Sequence, residues 1–438
     1  MPFDPKVLIE DIKEQYLELD NNRPWILGFS GGKDSTMMLQ LVWYALKSIP
    51  KELRQRQVYV VCNNTLVENP LILEYTHDIL LKIEKAAKEQ SMPMFVQRTT
   101  PKLEDTFWVN LIGKGYPSPN KIFRWCTERL KIAPTTKFIL EKISEEGEVI
   151  ILLGTRSNES SRRARSIKER EISGQRLRKH VLPNAYVYAP IKDVMTDDLW
   201  QYLLAAPSPW NGSNRQLVTL YRNANGGDCP LVIDDTSPSC GNSRFGCWVC
   251  TVVNKDKSME ALIDNGEEWM MPLSALRDLL AVSRDSEEYR ELRRRNGQLK
   301  EGMLGPYKPF FRAELLQKLL LAQKEIQVMQ PDIDLINFQE LVAIQVLWYR
   351  DNIFNQNVSD IYNQVYGVRI NLDDYNEKYL KEKKLLKESC SSDKDFDLIN
   401  NLLALQKSKT ILMNNRGLQN DLENKIEHFL KEKPNVHK

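Results

Sequence analysis

Histidine is scarce in this chain, and several hallmarks of common protein classes are missing. Only four histidines occur among 438 residues, and none has a neighbour at metal-ligand spacing, which argues against chemistry led by histidine. No stretch approaches the roughly 18 apolar residues of a membrane span. The start, MPFDPKVLIEDIKEQ, lacks the apolar segment of a signal peptide. The net charge of +2 does not by itself indicate a polyanionic partner. The sequence therefore predicts a cytoplasmic protein with no membrane partner.

Cysteine usage and length narrow the class further. Thiols stay reduced in the cytoplasm, so seven cysteines indicate metal binding or catalysis rather than a disulfide framework. The hydrophobic fraction of 42% and the charged fraction of 27% are typical of a globular protein. The length predicts two or three domains. We place an α/β domain at 1–206, a cysteine-rich segment at 207–256 and a helical region at 257–438.

Short apolar runs alternate with helical patterns over the first 200 or so residues. Candidate strands are Trp25–Ser30, Val58–Cys62, Met94–Arg98, Val149–Leu153 and Tyr186–Pro190. Such alternation predicts a parallel sheet with helices on both faces, and ligands of such sheets bind beyond the carboxyl ends of the strands. Residues 207–244 are rich in Gly, Pro, Asn, Asp and Ser, which predicts turns and loops.

A glycine-containing loop follows the first predicted strand. Its residues are Ser30, Gly31, Gly32, Lys33, Asp34 and Ser35. Glycines allow the backbone to turn and aim N–H groups at an anion, and the following helix N-terminus favours negative charge. The serine hydroxyls can bind phosphate oxygens and Asp34 can anchor Mg²⁺. The spacing is not that of a Walker A loop. The alternative is a plain turn between strand and helix.

Two further segments follow strands and can reach the same ligand. Gly154-Thr155-Arg156 follows the fourth candidate strand, so Arg156 either touches phosphate or is an ordinary surface arginine. Asn63 and Thr65 follow the second strand, where we expect adenosine.

Four cysteines fall within 22 residues near the middle of the chain. They are Cys229, Cys240, Cys247 and Cys250, with the spacing C-x10-C-x6-C-x2-C. Four thiolates can hold a [4Fe–4S] cluster or a tetrahedral zinc. Structural zinc sites usually show two close pairs, and only one is present here, so we favour the [4Fe–4S] cluster and keep Zn²⁺ as the alternative.

Cys126 lies apart from these four, in FRWCTERLKIAP. Arg124, Arg129 and Lys131 flank it, which predicts a lowered thiol pKa and a nucleophile able to carry a persulfide. The alternative is a buried or incidental thiol.

Positive charge concentrates directly after Arg156. Residues 156–179 contain nine Lys or Arg against three Glu in a nearly neutral chain. Arg162, Arg163 and Arg165 are our candidates for contacts with DNA phosphates. A solvated basic helix and loop is the alternative.

The motifs together resemble known families. SGGKDS resembles the signature of the PP-loop ATP pyrophosphatases, and GTRSNES with the later Ala-Pro-Ile resembles their branch that contains the PAPS reductases. RWCTERLKIAP, GTRSNESSRRARS and CGNSRFGCWVCT add a resemblance to the DndC family of DNA phosphorothioation sulfurtransferases.

The resemblance implies replacement of a non-bridging DNA phosphate oxygen by sulfur at the expense of ATP. It implies ATP at Ser30 to Ser35, a cluster on the four grouped cysteines and sulfur carried by Cys126. The implied partners are DNA, a cysteine desulfurase, an SMC-like ATPase and a small DNA-binding protein.

Three alternatives remain. A sulfonucleotide reductase would need a redox-active cysteine in a mobile tail, and the last residues, EHFLKEKPNVHK, contain none. A tRNA thiolase would share the ATP activation. A non-enzymatic DNA-binding module with a structural metal would predict no ATP turnover.

Overall fold

The computed structural model describes most of the chain as two compact units. The described residues are 3–18, 22–159, 165, 168, 175–224, 246–253, 255–294, 303–351, 357–368, 384–411, 422, 423 and 426. The first unit consists of Met1–Pro101 and Ile122–Ser274, and the second of Lys102–Lys121 and Ala275–Lys438. The division into segments 1–206, 207–256 and 257–438 stays a prediction.

A six-stranded sheet organises the first unit. Its strands are β1 (Trp25–Gly28), β2 (Val58–Asn63), β3 (Met94–Thr99), β4 (Val149–Leu152), β5 (Arg178–Lys179) and β6 (Ala185–Tyr188). The strand order is β3-β2-β1-β4-β6-β5, and every pairing is parallel except that of β5 with β6. All five predicted strands are confirmed. The sequence analysis missed β5, because two basic residues carry no apolar pattern.

Helices cover both faces of this sheet. Those of the first unit are α1 (Pro5–Leu17), α2 (Lys33–Ser48), α3 (Pro70–Glu89), α4 (Ala133–Glu146), α5 (Thr196–Ala205), α6 (Asn214–Asn223) and α7 (Lys257–Asp264). Neighbouring side chains of β1 point to opposite faces, as the pleat requires. Leu27 joins the core built with α2, whereas Ile26 packs with Phe138 and Ile139 of α4. The predicted α/β fold with a parallel sheet covered on both faces is confirmed.

Helix α6 lies inside the segment predicted to be irregular. The prediction for residues 207–244 is wrong at this point, because Leu217 and Tyr221 are buried at four-residue spacing and anchor one helical face. The side chain of Ser213 caps the helix by accepting a hydrogen bond from the N–H of Arg215 at 3.2 Å.

The C-terminal region is helical, as predicted. Its helices are α8 (Met271–Ser283), α9 (Pro309–Met329), α10 (Phe338–Asp351), α11 (Val358–Tyr366) and α12 (Asp393–Ile411). Within the second unit, Nε of the buried Arg312 donates to the carbonyl of Ile112 at 2.7 Å, and the Trp348 indole donates to the same carbonyl at 3.0 Å. None of the helices in the described ranges is long and apolar enough to cross a membrane.

Candidate functional site: a phosphate loop beside a cysteine turn

The phosphate loop, Ser30 to Ser35, lies where the strand order of the sheet reverses. The chain leaves β1 towards β2 and β3, whereas it leaves β4 towards β6. Loops that diverge in this way open a crevice at the carboxyl ends of the two strands, where doubly wound sheets bind ligands. The two loops approach closely, which favours glycine at this position, because a Cβ on Gly154 would lie only 3.1 Å from the Asp34 carbonyl oxygen.

Both glycines of the phosphate loop have a local structural reason. Gly31 has φ +71°, in the left-handed region, and a Cβ there would lie 2.4 Å from Thr76 Oγ1 on α3. Gly32 is the N-cap of α2, with extended backbone. None of the described residues accepts a hydrogen bond from the N–H of Gly31 or Gly32. The loop therefore presents two backbone donors ahead of a helix N-terminus, an arrangement suited to an anion.

Ser30 and Ser35 hold the loop closed from both ends. The Ser30 N–H donates to Ser35 Oγ at 3.2 Å, and the two hydroxyl oxygens are 3.3 Å apart. Ser35 Oγ also donates to the Gly32 carbonyl at 3.0 Å. The two hydroxyls thus lie together at the loop, where the sequence analysis expects them to bind phosphate oxygens.

Asp34 is held between two cations. Its Oδ1 lies 2.5 Å from Arg156 Nε and its Oδ2 lies 3.3 Å from Lys33 Nζ. Arg156 is 2% exposed, and its Nη1 also donates to Asn158 Oδ1, the Val194 carbonyl and Thr196 Oγ1. Arg156 is therefore a buried tie between the phosphate loop and the loop after β4, and not a surface arginine. Its contact with phosphate, and the Mg²⁺ role of Asp34, stay predictions.

Tyr221 of α6 supports the loop from behind, and the sequence analysis missed it. Its hydroxyl accepts a hydrogen bond from the Lys33 N–H at 3.4 Å, and Lys33 Nζ lies 5.2 Å from the ring centroid. Burial raises the pKa of this phenol, so it stays neutral and donates or accepts without charge. The capped apolar pattern of SNRQLVTLY was the signal that could have identified this helix.

The cysteine turn, residues 246–250, packs on the loop that follows β2. The Asn69 N–H donates to the Gly246 carbonyl at 3.3 Å, and the Trp248 N–H donates to the Val67 carbonyl at 3.1 Å. Thr65 Oγ1 lies 3.4 Å from Cys247 Sγ and 2.9 Å from Glu68 Oε1. The loop in which we expected adenosine contacts thus also contacts a cysteine.

Helix α3 connects this turn with the phosphate loop. Asn69 caps the helix and contacts Gly246, and Thr76, seven residues later, contacts Gly31. Seven residues of α-helix span about 10 Å. The cysteine turn therefore lies about two helical turns from the phosphate loop, at the same edge of the sheet.

Cys126 reaches the cysteine turn through an unusual helix start. The segment Thr127–Ile132 is a π-helix that continues into α4. Pro134 has no N–H to give to the Leu130 carbonyl four residues earlier, and the Asn63 side-chain amide donates to that carbonyl instead, at 2.7 Å. Thr99 Oγ1 donates to Asn63 Oδ1 at 3.0 Å. Asn63 therefore fixes the Cys126 helix to the end of β2.

The electrostatic surroundings of Cys126 correct one prediction. We expected cationic neighbours to lower its pKa, but burial raises the pKa, and Cys250 raises it further. The hydrogen bonds from Thr127 and the charge of Lys131 lower the pKa, but by less. Burial, with Glu68, raises the pKa of Cys247 to about 12. Cys247 is the largest cause of the raised pKa of Lys131, to which Glu68, Cys126 and Cys250 also contribute. Cys126, Cys247 and Cys250 thus share one neighbourhood around Lys131.

The remaining candidate residues are only partly covered. Cys229, Cys240, Arg162 and Arg163 lie outside the described residues, and Arg165 is exposed. Within the described ranges, no three His, Cys, Asp or Glu side chains converge closely enough to hold a metal ion. The donor chemistry of Cys247 and Cys250, with their two-residue spacing, fits one half of a thiolate site for a cluster or zinc.

Comparisons with known proteins give distant likenesses. A structure of FMN adenylyltransferase from Candida glabrata superposes with a TM-score of 0.28 at 13% identity, covering 53% of this chain and 67% of that one. A PAPS reductase from Candida auris, in a phosphate complex, gives a TM-score of 0.27 at 11% identity, covering 48% of this chain and 91% of that one. An uncharacterized protein of Methanocaldococcus jannaschii is 29% identical over 239 residues, or 55% of this chain. The matched region spans 38% of that relative's length.

A family model gives the assignment. The model of the phosphoadenosine phosphosulfate reductase domain matches residues 24–253, which is just over half of the 438-residue chain. The matched range begins at β1 and ends after the cysteine turn, so it contains the phosphate loop, Cys126 and the grouped cysteines. The chain therefore belongs to the phosphoadenosine phosphosulfate reductase domain family.

Proposed function

We propose that this protein is an ATP-dependent sulfurtransferase that adenylates a DNA backbone phosphate and replaces one of its non-bridging oxygens with sulfur. The observation that carries the proposal is the placement of the cysteine turn about 10 Å from a phosphate loop, along α3. A nucleotide and a sulfur carrier held at that separation can act on one substrate phosphate. The resemblance of the motifs to the DndC family supports DNA as the substrate.

The chemistry needs activation because a phosphate oxygen is a very poor leaving group. A non-bridging oxygen attacks the α-phosphorus of ATP and pyrophosphate leaves. A sulfur nucleophile then attacks the adenylated phosphate, and AMP departs with that oxygen. Two easier steps replace one difficult step. In this scheme the N–H groups of Gly31 and Gly32 and the hydroxyls of Ser30 and Ser35 hold the triphosphate.

Asp34 and its partners have a distinct part in this scheme. Lys33 is 7% exposed and Arg156 is 2% exposed, so both positive charges lie in a poorly hydrated site where they act strongly on a phosphate. The Asp34 carboxylate would hold a Mg²⁺ ion that arrives with ATP, in place of one of these two cations. When the metal binds, the Lys33 ammonium group would leave the Asp34 carboxylate and turn towards the phosphates.

Cys247 and Cys250, with Cys229 and Cys240, would hold a [4Fe–4S] cluster, or Zn²⁺ in the alternative. Such a group would be coordinated by the cysteine thiolates and would hold the cysteine turn in place beside the substrate. Cys126 would carry the sulfur as a persulfide. After the outer sulfur has attacked the phosphate and AMP has left, a thiol reductant would cleave the S–S bond, which releases the phosphorothioate and leaves Cys126 in a disulfide with that thiol. Because Cys126 lies beside Cys250, a role as a cluster ligand is the competing assignment. A cysteine desulfurase would supply the sulfur, and an SMC-like ATPase and a small DNA-binding protein would complete the system.

Pyrophosphate release tests the nucleotide half of the proposal. The wild-type protein with MgATP and DNA should release pyrophosphate, and Asp34→Ala should lose this activity while remaining folded. Asp78→Ala, which removes a half-exposed carboxylate that pairs with Lys82 on α3, is the control. Normal release by Asp34→Ala would show that the site is wrongly assigned.

Metal analysis and mass spectrometry test the sulfur half. Anaerobically purified protein should contain iron that is lost in Cys247→Ser and Cys250→Ser but kept in Cys62→Ser, and DNA from expressing cells should contain phosphorothioate. One equivalent of zinc without iron would show that the cysteines bind Zn²⁺ and not a [4Fe–4S] cluster. Sulfur in tRNA and none in DNA would contradict the proposed substrate.

Sulfonucleotide reduction is the second candidate, because the matched family model carries the reductase description. It predicts sulfite release from phosphoadenosine phosphosulfate in the presence of a dithiol reductant such as thioredoxin. Sulfite formation without pyrophosphate release would favour the reductase.

A further inference from the structure

Helix α3 buries a hydroxyl group on a face that is otherwise apolar. Its buried residues are Thr76, Ile79, Leu80, Ile83, Ala86 and Ala87. Thr76 is 7% exposed, so its side chain lies where the rest of this face packs hydrocarbon. Valine has almost the same shape and would pack there without the cost of burying a hydroxyl group. A threonine at this position therefore calls for a polar partner.

The described parts of the chain do not supply that partner. A buried hydroxyl group is normally hydrogen-bonded, and a helical threonine can donate to the carbonyl oxygen four residues earlier. The Thr76 hydroxyl bonds neither the Ile72 carbonyl nor any other described residue. Its oxygen lies against the phosphate loop, in the space that a Cβ on Gly31 would need. We therefore look for its partner at the phosphate loop.

The other two hydroxyl groups at this loop already have partners within the chain. Ser35 Oγ donates to the Gly32 carbonyl at 3.0 Å, and Ser30 Oγ lies 3.3 Å from Ser35 Oγ. Because a hydroxyl group has a single proton, Ser35 must break its bond to Gly32 before it can donate to a ligand. Thr76 has no such bond to break among the described residues. With the N–H groups of Gly31 and Gly32, it offers a third donor for an anion.

We propose that Thr76 is a phosphate-binding residue, whose hydroxyl donates a hydrogen bond to a phosphate oxygen held by the N–H groups of the phosphate loop. This inference rests on the proposed function and adds to its nucleotide site a residue from a second helix. Gly31 and Thr76 act as a pair, because the absence of a Cβ on the glycine lets the hydroxyl approach the loop. The bound phosphate thus joins the phosphate loop to α3, the helix that begins at the cysteine turn through Asn69.

Calorimetry of the full chain with inorganic pyrophosphate and with MgATP tests this assignment. Thr76→Val keeps the shape of the side chain and removes the hydroxyl, so it should lower both affinities roughly ten- to a hundredfold, as expected for a lost hydrogen bond to a charged group. Thr76→Ser keeps the hydroxyl and should bind nearly as tightly as the wild type. The matched control is Thr36→Val on α2, because the Thr36 hydroxyl is also buried without a described partner but is closed off from solvent. All three variants should keep the wild-type melting temperature.

The effect of Thr76 should change sign when residue 31 carries a side chain. Thr76→Ala should lower the affinity for MgATP in the otherwise wild-type chain, because the phosphate loses a donor. In Gly31→Ala the same change should raise the affinity, because the Thr76 side chain then obstructs the new Cβ. The same sign in both backgrounds would overturn the pairing of Gly31 with Thr76.

Packing and hydrogen bonding predict opposite orders for the valine and serine variants. If Thr76 only fills space, Thr76→Val binds like the wild type and Thr76→Ser does not, and either result overturns the inference. A wild-type protein that binds neither pyrophosphate nor MgATP also overturns it. Weakened binding by Thr76→Val, in a protein that shows neither pyrophosphate release nor sulfur in DNA, would instead contradict the proposed function and leave Thr76 as a phosphate-binding residue.

Discussion

Replacement of Gly31 by alanine tests the structure of the phosphate loop most directly. At φ +71° an alanine costs about 1 kcal/mol or more. Its Cβ would also lie 2.4 Å from Thr76 Oγ1, and overpacking of this kind typically costs about 1–3 kcal/mol. The total of about 2–4 kcal/mol is divided between the free energy of unfolding and the free energy of ATP binding, because either the phosphate loop or the Thr76 side chain on α3 must move to relieve the contact. If the whole free-energy cost falls on ATP binding, the affinity for MgATP falls roughly 30- to 1,000-fold.

Calorimetry with MgATP and chemical unfolding measure the two parts. Gly28→Ala is the control, because its Cβ would meet its nearest neighbour only at 3.9 Å. Adding Thr76→Ala to Gly31→Ala removes the 2.4 Å contact but not the backbone strain, so it should restore part of the loss. Wild-type affinity and stability in Gly31→Ala, or no restoration by Thr76→Ala, would refute the reasoning.

Two further predictions concern buried charges. Arg156→Ala should lower the free energy of unfolding by about 3 kcal/mol, because it leaves the Asp34 carboxylate without its closest cation. In a double-mutant cycle, Arg156→Ala with Asp34→Ala should cost less than the sum of the single variants, and additivity would show that the pair does not interact. Burial raises the pKa of Glu340 in the second unit from 4.5 to about 7. A carboxyl with a raised folded-state pKa favours folding when protonated, so this contribution is complete below pH 4.5 and is lost as the pH rises through about 7. Unfolding measured between pH 5 and 7.5 should show this loss in the wild-type protein and a flatter profile in Glu340→Gln, and identical profiles would contradict the burial of a protonated carboxyl.

The sequence by itself determined the sheet and the position of the phosphate loop. Continuous apolar runs such as VYVVC and VIIL are typical of strands buried on both faces, and a helical pattern between such runs favours a parallel crossover connection. A glycine pair between the first strand and its helix then lies at the carboxyl edge, because that edge follows from strand direction alone. These are local consequences of periodicity and backbone freedom.

Only the tertiary structure decided which side chains meet at that edge. Arg156 is 122 residues from Asp34 in sequence, and Thr65 is 182 residues from Cys247. No local pattern encodes such contacts, since they depend on strand order and on the direction in which α3 runs. The pKa of Cys126 shows the same limit. Its cationic neighbours in sequence predicted a lowered pKa, but burial and Cys250 raise it, because desolvation is a property of the packed surroundings and not of the adjacent residues.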